Sequence, residues 1–144
     1  MKLNSTGYKV LHEREGLRLK PYLDTKGIAT IGMGNTYYEN GKKVTMQDKA
    51  LTIEQAGNLA TITADKFAFQ VDKLLTSKVN QNQFNALVSL AYNIGINGFR
   101  NSTVLRKANI NPNDPAIKKA FMMWTKNVEL VGRRESEVKQ YFTS

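Results

Sequence analysis

Three polar residues stand at a spacing that chemistry can use. Glu15 is followed by Asp24 after eight intervening residues, and Asp24 by Thr30 after five more. Two carboxylates are what hydrolysis of a glycosidic bond requires, one as proton donor and one as base or nucleophile. A hydroxyl beside them can help to hold a water. Spacing alone carries little weight, because acidic residues are common on solvated surfaces. The elements that must position them carry more. Ser5 or Thr6 is placed to cap a short helix whose buried side is Tyr8, Val10 and Leu11. Gly16 is placed to end it in a left-handed conformation. Glu15 therefore falls in the last turn. The negative end of the helix dipole there disfavours a second negative charge, which suits a general acid. Leu17 and Leu19 then alternate with Arg18 and Lys20, as in a half-exposed strand. Asp24-Thr25-Lys26-Gly27 has Asp first and Gly fourth, the signature of a type I turn. Beyond it Ala29, Ile31 and Met33 fall on one face and Thr30 on the other. Gly32 and Gly34 leave the backbone bare, where a ligand can come close. A helix end, a turn and a returning strand thus carry the three groups, which can converge on one side of a small sheet.

The rest of the chain supplies the frame. The Asn-Gly pair in Glu39-Asn40-Gly41-Lys42 is a hairpin signal, so residues 17–44 are predicted to form an antiparallel sheet of about three strands. Downstream the period becomes helical. Thr45 with Asp48, and Thr52 with Gln55, read as capping boxes. Ala56, Leu59, Thr63, Phe67, Val71 and Leu74 form one stripe, which predicts a long helix from about 52 to 75. Asn80 with Gln83 opens the next helix, with Phe84, Leu87, Val88, Ala91 and Ile94 buried and Gly95 closing it. Asp114-Pro115 is a cap followed by proline at the first helical position. Ile117, Ala120, Phe121 and Trp124 follow on one face, which places Trp124 in the core. A last helix is expected from near Arg133, burying Val138 and Phe142. The predicted fold is α+β. A small lobe covers about residues 12–58, and a long helix joins it to a helical lobe over about 70–144 that also takes the N-terminal helix. The whole of 1–144 is expected to be one catalytic domain, with a cleft between its lobes.

Composition sets further limits. A chain of 144 residues buries about two thirds of the surface its unfolded form exposes, enough for a core without staples. The absence of cysteine excludes disulfides and thiolate zinc sites. The single histidine, His12, leaves little material for a metal site or a serine triad. No metal or other cofactor is expected. No apolar run approaches the roughly 18 residues of a membrane span, so stable membrane insertion is not expected. Residues 1–7 lack the apolar centre of a secretory signal, and folding in a cytoplasm is expected. The net charge of +9 favours polyanionic partners. Nucleic acid, an anionic membrane and an acidic bacterial envelope all fit, and charge alone does not choose among them.

The motif itself is more specific. Glu15-Gly16-Leu17-Arg18-Leu19-Lys20, then Tyr22, Asp24-Thr25, Gly27, Thr30-Ile31-Gly32 and Gly34, closely resembles the catalytic signature of the tailed-phage lysozymes. These are the phage endolysins of glycoside hydrolase family 24. The Glu, Asp and Thr of that signature all match. The run from Gln83 to Gly95 resembles the family's central helix, and Phe99 to Leu105 the short helix after it. Ala120 to Trp124, with Gly132-Arg133-Arg134 and Glu137, resembles its C-terminal pattern. The resemblance runs essentially end to end.

The resemblance implies a lysozyme-like fold and a muramidase. Such an enzyme hydrolyses the β-1,4 bond between N-acetylmuramic acid and N-acetylglucosamine in peptidoglycan, with inversion. By the match, Glu15 is the general acid, Asp24 the carboxylate acting on the attacking water, and Thr30 a group that helps to hold it. Tyr92, Asn93 and Ser102 match substrate-binding positions. By themselves, Tyr92 reads equally as core packing and Ser102 as a helix cap. Arg133 or Arg134 is expected near Glu15 as a supporting residue. Asn35 stands where family members often carry histidine, so any charge pair made by that histidine is missing here. His12 has no catalytic use in this scheme. The implied biology is a monomer that accumulates in the host cytoplasm and reaches the wall through a holin-type lesion. It would act on peptidoglycan and the anionic envelope, without a nucleic-acid partner, and lyse the host. Two other readings compete. A lytic transglycosylase would form an anhydro sugar and has no need of a water held by Asp24 and Thr30. A catalytically silent wall-binding module fits the charge, but the intact acid–base set disfavours it.

Overall fold

The computed structural model describes residues 1–144 as seven helices and one two-stranded sheet. The chain divides into two compact units, residues 8–64 and residues 1–7 with 65–144. The first is here called the small unit and the second the helical unit.

Helix α1 (Ser5–Glu15) begins after Asn4, whose Oδ1 accepts the Gly7 N–H at 2.9 Å. The cap is thus Asn4 and not Ser5 or Thr6, since its carboxamide reaches the third helical N–H. Gly16 has φ +74° and donates its N–H to the His12 carbonyl at 2.8 Å. This closure leaves Glu15 as the last helical residue. Strands β1 (Arg18–Leu23) and β2 (Ala29–Gly32) pair antiparallel, with Tyr22 opposite Thr30 and Leu23 opposite Ala29. The register shifts between Arg18 and Tyr22, a stretch in which Pro21 has no N–H to give to a ladder.

The predicted third strand does not form; the sheet has two. Gly32 and Gly34 take φ of +67° and +85°, so the chain reverses at once. Asn35 pairs straight back onto Ile31, N–H to C=O in both directions, at 2.8 and 2.9 Å. The Asn-Gly hairpin does form, with Tyr38 donating to the Lys42 carbonyl at 2.9 Å. Beyond these, Tyr37 and Lys43 add only an isolated bridge, too little for a strand. The Thr45–Asp48 pair makes a turn and not a helix. The Asp48 carboxylate accepts from the Thr45 N–H (2.9 Å), the Thr45 hydroxyl (2.6 Å) and the Tyr38 hydroxyl (2.7 Å). Burial, with the Asp48 hydrogen bond and charge, pushes the Tyr38 phenol up to about 12. Ile31, Val44 and Leu59 form the core of the small unit, with Ala29, Tyr38 and Leu51 against it.

Helix α2 (Ile53–Leu74) forms within a residue of its predicted bounds and carries the chain across the boundary between the units, but of its predicted stripe only Ala56, Leu59 and Val71 are buried. Its capping box is present: Thr52 N–H to Gln55 Oε1 at 3.0 Å and Gln55 N–H to Thr52 Oγ1 at 3.1 Å. Its buried line is Ala56, Leu59, Ala60, Ala64, Ala68 and Val71.

The helical unit is built on α3 (Gln81–Ile94), where Asn80 and Gln83 cap each other as expected and Gly95 closes the helix. Every residue from Gln83 to Ala91 is buried, so α3 is a central helix rather than an amphipathic one. Its polar side chains are matched. Gln83 Nε2 donates to Asn113 Oδ1 at 3.0 Å, Asn85 Nδ2 to Asn4 Oδ1 at 2.9 Å, and Ser89 Oγ to Glu137 Oε2 at 2.6 Å. Around it come α4 (Ile96–Arg100), α5 (Thr103–Ile110), α6 (Ile117–Met122) and α7 (Val128–Tyr141), with α7 making its largest contact. Helix α7 starts earlier than the predicted Arg133, because Asn127 Oδ1 accepts the Leu130 N–H at 3.2 Å. Phe142 lies beyond its end and is 42% exposed. The buried aromatic is Tyr141, whose hydroxyl donates to the Pro112 carbonyl at 2.7 Å. Helix α6 stops at Met122, so Trp124 sits half-buried after the helix and not on its core face.

Candidate active site

In the small unit the three residues of the motif are placed by local geometry. Glu15 is half-buried at the last position of α1. Asp24 follows β1 directly, and its turn closes with the Gly27 N–H on the Asp24 carbonyl at 3.0 Å. The Asp24 Oδ1 accepts two main-chain N–H groups, Lys26 at 2.8 Å and Ile28 at 2.9 Å. These bonds fix the plane of the carboxylate and leave Oδ2 as its open acceptor. Thr30 is almost buried, at 3% exposure, and its hydroxyl donates to the Ile28 carbonyl at 2.8 Å. That bond consumes the hydroxyl proton and leaves the oxygen to accept. The same Ile28 carbonyl accepts the Asp24 N–H at 3.0 Å. The Ile28 backbone therefore ties Asp24 to Thr30, a link that side-chain types could not reveal because it runs through the main chain.

His12 lies one turn before Glu15 in α1. Its buried Nε2 has no hydrogen-bond partner, and burial holds the imidazole below its usual value. It is a neutral packing residue at neutral pH.

In the helical unit a buried charged cluster joins α3 and α7. Arg134 is fully buried. It donates from Nη1 to Glu137 Oε1 at 2.5 Å, from Nε to the Trp124 carbonyl at 3.0 Å, and from Nη2 to Asn93 Oδ1. Arg133 donates from Nε to Glu137 Oε2 at 3.2 Å and from Nη2 to the Ser89 carbonyl at 3.1 Å. With the Ser89 hydroxyl, two arginines and one serine meet the Glu137 carboxylate. Such a pair persists in a low-dielectric interior only when both oxygens are satisfied in this way.

Asn93, Ser102 and Arg134 line a cavity of about 540 Å³, together with Asn101, Trp124 and Lys126. Its polar lining is amides, hydroxyls and two cations, with no acidic residue. It suits a ligand rich in acceptors that also has an apolar face for the indole. Ser102 caps α5, accepting the Leu105 N–H at 3.1 Å and donating to the Phe99 carbonyl at 2.7 Å. Tyr92 instead packs its ring on Phe67, with centroids 4.8 Å apart. Asn101 and Lys126 went unnoticed in the sequence. Asn101 had a local signal, its place beside a capping serine, and Lys126 had none. No group of three His, Asp or Glu side chains is arranged to hold a metal ion.

A small α+β unit bearing two carboxylates, continued by a long helix into a helical unit, defines a lysozyme-like hydrolase. The phage lysozyme family matches residues 12–137, and the chain belongs to that family. It is 38% identical to the endolysin of Salmonella phage P22 over 126 residues, covering 88% of this chain and 85% of that one. By contrast, it spans only 55% of the endolysin of Bacillus phage B103, at 34% identity over 99% of this chain. Among solved structures it is similar to an endolysin from Escherichia coli O157:H7 phage FAHEc1. That comparison has a TM-score of 0.89 at 34% identity, covering 99% of this chain and 94% of the other. It is also similar to the muramidase domain of SpmX from Asticaccaulis excentricus, with a TM-score of 0.85 at 28% identity over 99% of both chains.

Proposed function

We propose that this lysozyme works as a phage endolysin, hydrolysing the β-1,4 bond between N-acetylmuramic acid and N-acetylglucosamine by an inverting acid–base mechanism. The observation that carries the mechanism is the Ile28 link. It leaves Asp24 Oδ2 and the Thr30 oxygen as two acceptors, their residues both fixed to the backbone of Ile28. A water donating one hydrogen to each would turn a lone pair outward to the anomeric carbon. Glu15 protonates the leaving oxygen. As the water attacks, the C–O bond to the leaving sugar breaks and Asp24 takes the water's proton. Inversion requires room for that water, which in such enzymes means carboxyl groups about 6.5–9.5 Å apart. Asn93 and Ser102, with the cationic cavity they share, are assigned to substrate binding, and Tyr92 to the same task from its place beside Phe67. Arg133 and Arg134 support the site by holding the Glu137 cluster from which Asn93 is fixed.

No helix is long and apolar enough to cross a membrane. Release through a holin-type lesion from the host cytoplasm, and action as a monomer, complete the reading. The test is digestion of purified peptidoglycan with mass analysis of the products. New reducing ends from the wild type, lost in Glu15→Gln, are expected. Anhydro ends in their place would identify a transglycosylase, and binding without release would identify a wall-binding module.

A further inference from the structure

We infer that Asn35 and Thr63 are positioning residues that hold the Thr30 end of the catalytic set. The inference rests on Thr30 serving the attacking water. Strand β2 has four residues and belongs to a two-stranded sheet, which is marginal by itself in water. Thr30 is tied within that sheet to its partner Tyr22 and through its hydroxyl to Ile28. What fixes the sheet must therefore come from elsewhere.

Asn35 supplies it. Its backbone clamps Ile31, the neighbour of Thr30, from both sides at 2.8 and 2.9 Å. Its side-chain Oδ1 accepts the Met33 N–H at 3.2 Å inside the same turn. Its Nδ2 donates to Thr63 Oγ1 at 2.6 Å, and that hydroxyl donates in turn to the Leu59 carbonyl at 3.0 Å. The proton order is unambiguous. The Met33 N–H needs an acceptor, so the amide oxygen faces it and the amide nitrogen faces Thr63. Thr63, accepting from Asn35, sends its own proton to Leu59. The turn is wrapped closely about the carboxamide, because a Cβ on Gly32 would lie 3.2 Å from Asn35 Oδ1. A chain of neutral hydrogen bonds thus runs from the end of β2 to the body of the 22-residue helix α2. Small displacements of a reacting group are costly in rate, so a loosened clamp should be felt in turnover more than in substrate binding.

The experiment compares Thr63→Val, Asn35→Ala and Thr63→Ser with the wild type. Thr63→Val keeps the shape and removes the hydroxyl, leaving Asn35 Nδ2 without its acceptor. On soluble peptidoglycan fragments, Thr63→Val and Asn35→Ala are each expected to lower kcat about tenfold with KM within about twofold. Thr63→Ser, which keeps the hydroxyl, is expected to return kcat to within about twofold of wild type. Amide hydrogen exchange at Ile31 and Met33 should quicken in Thr63→Val and Asn35→Ala and recover in Thr63→Ser. A folded Thr63→Val with wild-type kcat would overturn the inference, whatever its melting temperature. If the wild type itself released no reducing ends, the lysozyme reading would fail instead. Unchanged exchange at Ile31 in Thr63→Val would then refute the clamp on its own.

Discussion

At the scale of single residues, the hydrogen bonds of Asp24 and Thr30 leave one acceptor on each for the proposed water. Asp24 spends Oδ1 on two backbone N–H groups and presents Oδ2. Asp24→Asn should therefore keep the turn, because an amide oxygen can take the same two bonds. It replaces only the open acceptor with a donor. The expected result is a kcat lower by about 10²–10⁴, the usual worth of a general base, with a melting temperature close to wild type. Turnover and thermal melting of the same preparation check it. A melting temperature that fell with activity would mean that Asp24 serves the turn rather than the water. His12 gives a prediction of another kind. Burial lowers its folded pKa below the usual 6.5, so between that value and the lowered one the unfolded chain binds more protons. Stability is then fully present above about pH 6.5 and declines as pH falls through the folded value. His12→Gln should remove that part of the acid sensitivity. Denaturant midpoints measured from pH 7.5 to pH 4.5 in the two proteins decide it.

At the scale of elements, two contacts in the helical unit show what the helices demand of each other. Gly7, in the first turn of α1, admits Asn85 of α3 so closely that a Cβ there would lie 2.7 Å from the carboxamide. Gly7→Ala, although it improves helix propensity, is expected to cost about 1–3 kcal/mol by overpacking. Urea unfolding would show a lower midpoint, and a gain in stability would contradict the close approach. Between α3 and α7, Glu137→Ala leaves the buried guanidinium of Arg134 without its carboxylate counter-charge. The expected loss is about 3–5 kcal/mol, read by the same unfolding experiment. Replacing Glu137 and Arg134 together by leucine and methionine should recover much of it, since the penalty lies in the unpaired charge.

For the whole molecule, the charge of +9 acts at a distance. Toward an anionic wall such a charge is expected to hasten encounter. The Debye length shrinks from about 10 Å at 0.1 M salt to about 3 Å at 1 M. Lysis of intact sacculi is therefore expected to slow over that range, while circular dichroism shows the fold unchanged. A rate indifferent to salt would mean that the charge serves solubility and not substrate capture.

Much of this protein was present in its sequence because much of it is local. The end of α1 at Gly16, the Asp24–Gly27 turn, the Thr52–Gln55 and Asn80–Gln83 caps and the extent of α2 each depend on residues within a turn or two. So does the placement of Glu15, Asp24 and Thr30. The failures have equally physical causes. The third strand was cancelled by two glycines with positive φ, which returned Asn35 to Ile31 before a ladder could begin. Helix α7 began early at a single capping Asn127, and α6 ended before it could carry Trp124 into the core. What packing alone decided is the choice of partners. Arg134 meets Asn93 across 41 residues, Ser89 meets Glu137 across 48, and Asn35 meets Thr63 across 28. No periodicity encodes such pairs, because a polar side chain folded inward takes whichever partner the backbone brings within about 3 Å. The sequence by itself determined the helix end, turn and strand that carry Glu15, Asp24 and Thr30, because their hydrogen bonds are local; the tertiary structure decided the buried pairs between distant residues that brace the frame around them.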